Sequence, residues 1–179
     1  MNIGFDLDKI FINHPPYISD KLVDRLYKQK TKENLFYRIP SKTEQLLRLA
    51  THAKTFRKPM KENIQFLEEL TQKKNNRYYL VTGRFGFLKK KTEAFIIKYN
   101  FGKIFDGMYF NYDNQQPHQF KDTIIKYLHL DKYVDDDLDL LKYLSQNNSN
   151  ASFFWFNKKN QEKLLTNLFA ITKLQQIYE

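Results

Sequence analysis

The chain has 179 residues, 41% hydrophobic and 16% aromatic, which suits one domain with a substantial core and excludes a disordered protein. It has no cysteine, so disulfides and thiolate metal sites are excluded and a reducing interior is favoured. The formal charge of +10 would suit an anionic substrate or nucleic acid, but lysine-rich solvated helix faces such as Lys89-Lys90-Lys91 and Lys158-Lys159 account for most of it. No interleaved aromatic and basic pattern of an RNA-binding domain is present.

The first element is Ile3-Gly4-Phe5, a short apolar run ending in Asp6-Leu7-Asp8. It reads as a buried parallel strand that delivers two carboxylates to the carboxyl edge of a sheet, where open α/β folds keep their ligands. The pattern starts directly after Met1, and no run reaches the roughly 18 apolar residues of a membrane span. No signal segment and no membrane partner are therefore expected, and the expected location is the cytoplasm.

Pro15-Pro16 prevents a helix through the next loop. Ser19 is a plausible N-cap for a helix to about Lys30, and Glu33 to Pro40 reads as irregular. Ser41 and Glu44 have capping-box spacing, opening a helix with Leu46, Leu47 and Ala50 as its apolar stripe. Residues 14–58 thus read as a small helical insert, with 1–13 and 59–179 as the core.

Pro59 opens a helix with Ile64, Phe66, Leu67 and Leu70 at helical spacing. A second strand, Arg77 to Val81, runs into Thr82-Gly83-Arg84. A helix through Thr92 to Tyr99 follows, then a strand within Phe105 to Phe110. Lys121 to Leu128 reads as helix, and Lys132 to Val134 as a strand that runs into Asp135-Asp136-Asp137-Leu138-Asp139. A helix over Leu138 to Leu144 and a strand over Ser152 to Phe156 come next. A final helix carries Leu164, Leu165, Leu168, Phe169, Ile171 and Leu174. The alternation predicts a Rossmann-like α/β fold: a parallel sheet of about five strands with helices on both faces, plus the small helical insert.

Asp6 and Asp8, then Thr82, then Lys121, then Asp135 and Asp136 fall in an order that resembles the haloacid dehalogenase (HAD) superfamily of phosphohydrolases. The resemblance runs from Asn2 to about Phe156. It implies a Mg²⁺-dependent phosphomonoesterase with Asp6 as the nucleophile and Asp8 as the acid and base. Thr82, with the Gly83 amide and Arg84, would contact the phosphate. Lys121, 15 residues before Asp136, would compensate charge, with Lys126 as a fallback. Asp6, the backbone carbonyl of Asp8 and Asp136 would hold the metal, supported by Asp135.

The resemblance also makes residues 14–58 a cap over the leaving group, where Arg38, His52, Arg57 and Lys58 are candidates for substrate contacts. Asp135-Asp136-x-x-Asp139 is similar to the deoxyribonucleotidase branch, which suggests a nucleoside monophosphate as the small phosphorylated substrate. Lys9 and Ile10 depart from the pattern, standing where many relatives have Gly and Thr or Val. Two other readings stand beside this one: a phosphatase of nucleic-acid ends, and a HAD-fold binding protein without turnover. The oligomeric state is not expressed in the sequence.

Overall fold

In a computed structural model of the chain, residues 1–13, 27–30, 35–52, 57–72, 75–157 and 164–179 are described. The core is a six-stranded sheet containing β1 (Asn2–Phe5), β4 (Arg77–Thr82), β5 (Gly107–Phe110), β6 (Lys132–Asp135), β7 (Ser152–Phe156) and β8 (Leu168–Ile171). The spatial order is β5-β4-β1-β6-β7-β8, and every neighbouring pair is parallel. The chain winds outward from β1 through β4 to β5, then crosses back to β6 on the other flank of β1. The place where winding reverses, between β1 and β6, is where the strand ends leave a crevice.

Side chains alternate across the sheet and fill two cores. Tyr78 and Leu80 face one side with Ile64 and Leu67 of α2 (Lys61–Gln72) and Ile96 of α3 (Lys89–Lys98). Tyr79 and Val81 face the other, with Phe120 and Ile125 of α4 (Pro117–Tyr127) and Leu140, Leu141 and Leu144 of α5 (Leu138–Asn147). The central strands are buried on both faces, which is why their sequences read as apolar runs.

The sheet exceeds the expected five strands by one. The final helix expected over Leu164 to Leu174 is replaced by the edge strand β8 and a 3-10 turn over Leu174–Tyr178. Leu168 and Ile171 suit a helical stripe by spacing alone. Backbone pairing with β7, from Phe153↔Leu168 to Phe156↔Ile171, is the tertiary contact that overrides it.

The ends of the 14–58 segment lie together. The Asn13 amide donates to the Lys58 carbonyl at 2.8 Å, and Ile12 bridges Pro59. Within the segment, β2 (Lys28–Lys30) and β3 (Leu35–Tyr37) form an antiparallel hairpin. Strand therefore replaces the last turn of the helix expected from Ser19 and part of the irregular stretch expected from Glu33. Residues 19–26 lie outside the described residues. The helix α1 (Lys42–Thr51) begins as its capping box requires: Glu44 accepts from the Ser41 amide at 2.7 Å. Its supposed apolar stripe does not face inward, since Leu46 and Leu47 are 67% and 65% exposed.

The hairpin is pinned to the core. Tyr37 Oη donates to Asp137 at 2.7 Å, Lys28 pairs with Asp137 at 2.6 Å and Asp139 at 3.0 Å, and Gln116 exchanges bonds with the Tyr37 backbone. Among the described residues no helix is long and apolar enough to cross a membrane.

Gly4 shows how tightly β1 is seated. A Cβ there would lie 2.5 Å from Leu130 Cδ1 and 2.8 Å from Tyr133 Cδ2. Gly4→Ala is expected to destabilise the fold by about 1–3 kcal/mol through overpacking, read as a lower urea midpoint with an unchanged m-value.

Candidate active site

At the carboxyl end of β1, Asp6 Oδ2 accepts the Asp8 amide at 2.8 Å, and Asp6 Oδ1 accepts from Lys121 Nζ at 2.8 Å. The same ammonium donates to Asp135 Oδ2 at the end of β6, at 2.7 Å. All three groups are buried. Lys121 arrives from the second turn of α4, which starts at Pro117 rather than at Lys121 as expected. Pro suits the first helical position because its missing N–H has no partner to lose there. Lys126, the alternative, points away and pairs with Asp122 at 2.7 Å.

Gly83 leaves room chiefly for Pro117, at the start of the helix that carries Lys121. A Cβ on Gly83 would sit 3.0 Å from Pro117 Cβ and 3.4 Å from Lys121 Cε. Beside it, Thr82 is fully buried, and its hydroxyl accepts the Arg84 amide at 3.4 Å.

Asp6, Asp135 and Asp136 each offer a carboxylate oxygen within 4.8 Å of the others. Burial, aided by Asp135 and Asp8, pushes the Asp6 carboxyl up to about 6 against the pull of Lys121. Burial, aided by Asp135 and Asp6, pushes Asp136 up to about 8 against the pull of Lys9. Three crowded oxygen donors that oppose one another's charge suit a hard divalent cation. Asp135, expected in support of Asp6 and Asp136, lies within that group while its oxygens also accept from Lys121 and from the Asp137 amide.

Lys9 was legible only as a departure from the family pattern. Its φ of 55° lies in the left-handed region, where a β-carbon costs roughly 1–2 kcal/mol, so glycine is the ordinary choice. Its ammonium reaches Asp136 Oδ2 at 2.7 Å.

Asp8 belongs to a different charge system. Arg84 grips it with two donors, Nε to Oδ2 and Nη2 to Oδ1, both at 2.7 Å, while Arg57 Nη1 donates to Oδ1. Burial works to raise the Asp8 carboxyl, but Arg84 and then Arg57 hold it well below the usual carboxylate range. Arg84, expected on the phosphate, is thus committed to Asp8 and to Thr92 Oγ1 at 3.1 Å.

These groups line one cavity of about 640 Å³ between the sheet edge and the 14–58 segment. Asp6, Asp8, Thr82, Gly83, Arg84, Lys121, Asp135 and Asp136 all border it, as do Arg38, His52 and Arg57. Lys58 is exposed and lies outside it. Arg38 borders it but pairs with Glu44 through two bonds, 2.9 and 2.6 Å. Burial, then Arg57 and Arg84, push the His52 imidazole down to about 3. Its Nδ1 lies 2.7 Å from the Arg48 carbonyl, so in this geometry Nδ1 carries the proton.

Sequence reading missed Tyr27, Lys28, Tyr37 and Arg48, which complete the roof of the cavity. A signal existed for Arg48: Glu44, Arg48 and His52 recur every four residues and mark one face of α1.

No family profile and no curated protein matches the sequence. The structure is similar to a haloacid dehalogenase-like hydrolase from Streptococcus pneumoniae at 14% identity and TM-score 0.63, covering 99% of this chain and 96% of that one. A beta-phosphoglucomutase from Pyrococcus sp. matches at 13% identity and TM-score 0.60, with the same two coverages of 99% and 96%. A HAD-superfamily hydrolase from Ehrlichia chaffeensis matches at 12% and 0.56, covering 98% and 93%. The chain has the haloacid dehalogenase fold. Within the HAD fold, the acidic groups and Lys121 sit at the carboxyl ends of the strands flanking the winding reversal.

Removing the Lys121 charge strands two buried carboxylates. Lys121→Ala is expected to cost about 3–5 kcal/mol, whereas Lys126→Ala stays within about 0.5 kcal/mol, both measured by chemical denaturation.

Proposed function

We propose that this protein is a Mg²⁺-dependent phosphomonoesterase that hydrolyses a small phosphate ester of the cytoplasm through phosphoryl transfer to Asp6. The observation that carries this reading is the convergence of Asp6, Asp135, Asp136 and Lys121 at one sheet edge, beside a cavity of substrate size. Asp6, Asp135 and Asp136, with the Asp8 backbone carbonyl, would hold the cation. Bound Mg²⁺ would offset the charge of the phosphoryl group as an anionic nucleophile approaches it.

Asp6 forms the new bond to phosphorus as the bond to the leaving oxygen breaks. Lys121 holds the carboxylate in place and opposes the negative charge that gathers there. Asp8 supplies the proton that the leaving oxygen takes up. Water then attacks phosphorus, gives its proton to Asp8, and inorganic phosphate leaves with Asp6 restored.

The arginine clamp sets a condition on this cycle. A carboxylate gripped by Arg57 and Arg84 is an acceptor, so Asp8 can carry a proton only after one of them withdraws. Arg57 is the candidate to move, because it lies where the 14–58 segment rejoins the core. We take that segment as the cap, which ties substrate admission to protonation of Asp8. A nucleoside monophosphate is the first substrate to try, on the strength of the Asp135-Asp136-x-x-Asp139 ending.

The test is phosphate release from an aryl phosphate and a panel of nucleoside monophosphates, with Mg²⁺ and with chelator. Turnover should require the metal, fall by at least about 10³-fold in Asp6→Asn and by about 10²–10⁴-fold in Asp8→Asn. Absence of turnover in folded wild-type protein would sink the reading.

Metal binding has its own readout. Trp155, the single tryptophan of the chain, donates Nε1–H to the Asp136 carbonyl at 2.9 Å. A Mg²⁺-dependent change in its fluorescence is expected in the wild type and lost in Asp136→Asn. That variant should also unfold at a higher temperature, because it removes one of three crowded carboxylates.

A further inference from the structure

Four arginines line the cavity: Arg38, Arg48, Arg57 and Arg84. Three are committed to carboxylates, Arg38 to Glu44 and both Arg57 and Arg84 to Asp8. Arg48 is different. Its guanidinium lies 4.7 Å from the Tyr27 ring centroid and 5.7 Å from that of Phe87, and among the described residues it has no carboxylate or hydrogen-bond acceptor. Flanking rings restrict a planar guanidinium without consuming its in-plane donors, leaving its fork available for a planar or tetrahedral oxyanion.

The surroundings make an anion welcome. Arg48, Arg57 and Arg84 place three cations around the single carboxylate of Asp8, and burial with Arg57 and Arg84 pushes the neighbouring His52 imidazole down to about 3. Burial, together with repulsion from Arg57 and Arg84, works against the Arg48 charge. None of the Arg48 donors is among the buried polar atoms that lack a partner, so solvent reaches them; a bound oxyanion would take the place of that solvent and relieve the repulsion from Arg57 and Arg84.

The phosphoryl group that Asp6 attacks does not meet this need. On that reading it would lie at the sheet edge among the Asp6, Lys121 and Asp135 groups, whereas Arg48 comes from α1 and feels Asp8, Arg57 and Arg84. We propose that Arg48 binds a second anionic group on the substrate, so that the preferred ligands are phosphate esters whose leaving group ends in a carboxylate or another phosphate. This rests on the reading of Asp6 as the phosphoryl site. Arg48 would be a specificity-determining residue, acting on the far end of the substrate.

The test uses binding, so that it stands whether or not the protein turns over. Propylphosphonate, 3-phosphonopropanoate and ethane-1,2-diphosphonate share a phosphonate on a two-methylene stem, and differ in a terminal methyl, carboxylate or second phosphonate. Their affinities are measured by calorimetry for the full chain in Mg²⁺, as wild type, Arg48→Gln and Arg48→Lys. A charge-assisted, two-donor contact predicts that wild type prefers an anionic terminus by about 10- to 100-fold. In Arg48→Gln the preference should shrink to about threefold or less, and Arg48→Lys, which keeps charge but loses the fork, should fall between.

The arm with the larger gain identifies the terminal anion as carboxylate or phosphate. Equal affinity for all three ligands in wild type, no binding of any, or a preference that survives in Arg48→Gln would overturn the proposal. Thermal melts show that each variant is folded. An anionic preference without phosphate release would keep this inference and remove the phosphatase reading; phosphate release without the preference would do the reverse.

Discussion

The ammonium of Lys121 between Asp6 and Asp135 is the interaction on which the site depends. The two carboxylates come from adjacent parallel strands, β1 and β6, and emerge at the same edge because the sheet's winding reverses between them. Buried side by side, they would repel each other strongly. Lys121 neutralises part of that repulsion, and its two short bonds fix where α4 must lie. The demand reaches into the backbone: the helix starts at Pro117, directly against Gly83, where a side chain would crowd both the proline ring and the lysine stem. The absence of a side chain at Gly83 makes room for the proline, and its backbone amide keeps the place expected of it beside the cavity.

Around this centre the charges divide into two systems. One is acidic: Asp6, Asp135 and Asp136, with Lys121 and Lys9 against them. The other is basic: Arg84 from the loop after β4, Arg57 from the stretch before Pro59, Arg48 from α1 and His52 at its C-cap. Asp8 is their junction. Its amide touches Asp6 while its carboxylate is held by Arg57 and Arg84. Arg57 thus ties the backbone just before Pro59 to Asp8, and the contacts of Tyr37 and Lys28 with Asp137 add a second tie between the β2–β3 hairpin and the sheet edge, one residue beyond Asp136.

Much of the fold was legible because buried parallel strands are written as short apolar runs, and each of the strands expected from β1 to β7 in the core is found. β8 was not legible. Leu164, Leu168, Ile171 and Leu174 suit a helical stripe, and only the open edge of β7 selects the extended form. The partners of α1 were not legible either: its spacing shows an apolar stripe and a polar face, and in the structure Arg48 and His52 border the cavity while Leu46 and Leu47 are exposed. Spacing identifies the faces of a helix and is silent on which of them has something to meet.

The sequence by itself determined the acidic groups at Asp6, Asp8 and Asp135-Asp136, and selected Lys121 from among many lysines. Strand ends are local properties of the chain, and motif order is carried by the family resemblance. The tertiary structure alone decided how those charges are apportioned: Arg84 and Arg57 to Asp8, Lys9 to Asp136, Lys121 to the Asp6–Asp135 pair, and Arg48 to no carboxylate among the described residues. Such pairings depend on distances between residues far apart in sequence, 76 positions for Arg84 and Asp8, and long flexible side chains reach whichever partner the packed sheet and helices bring within a few ångströms.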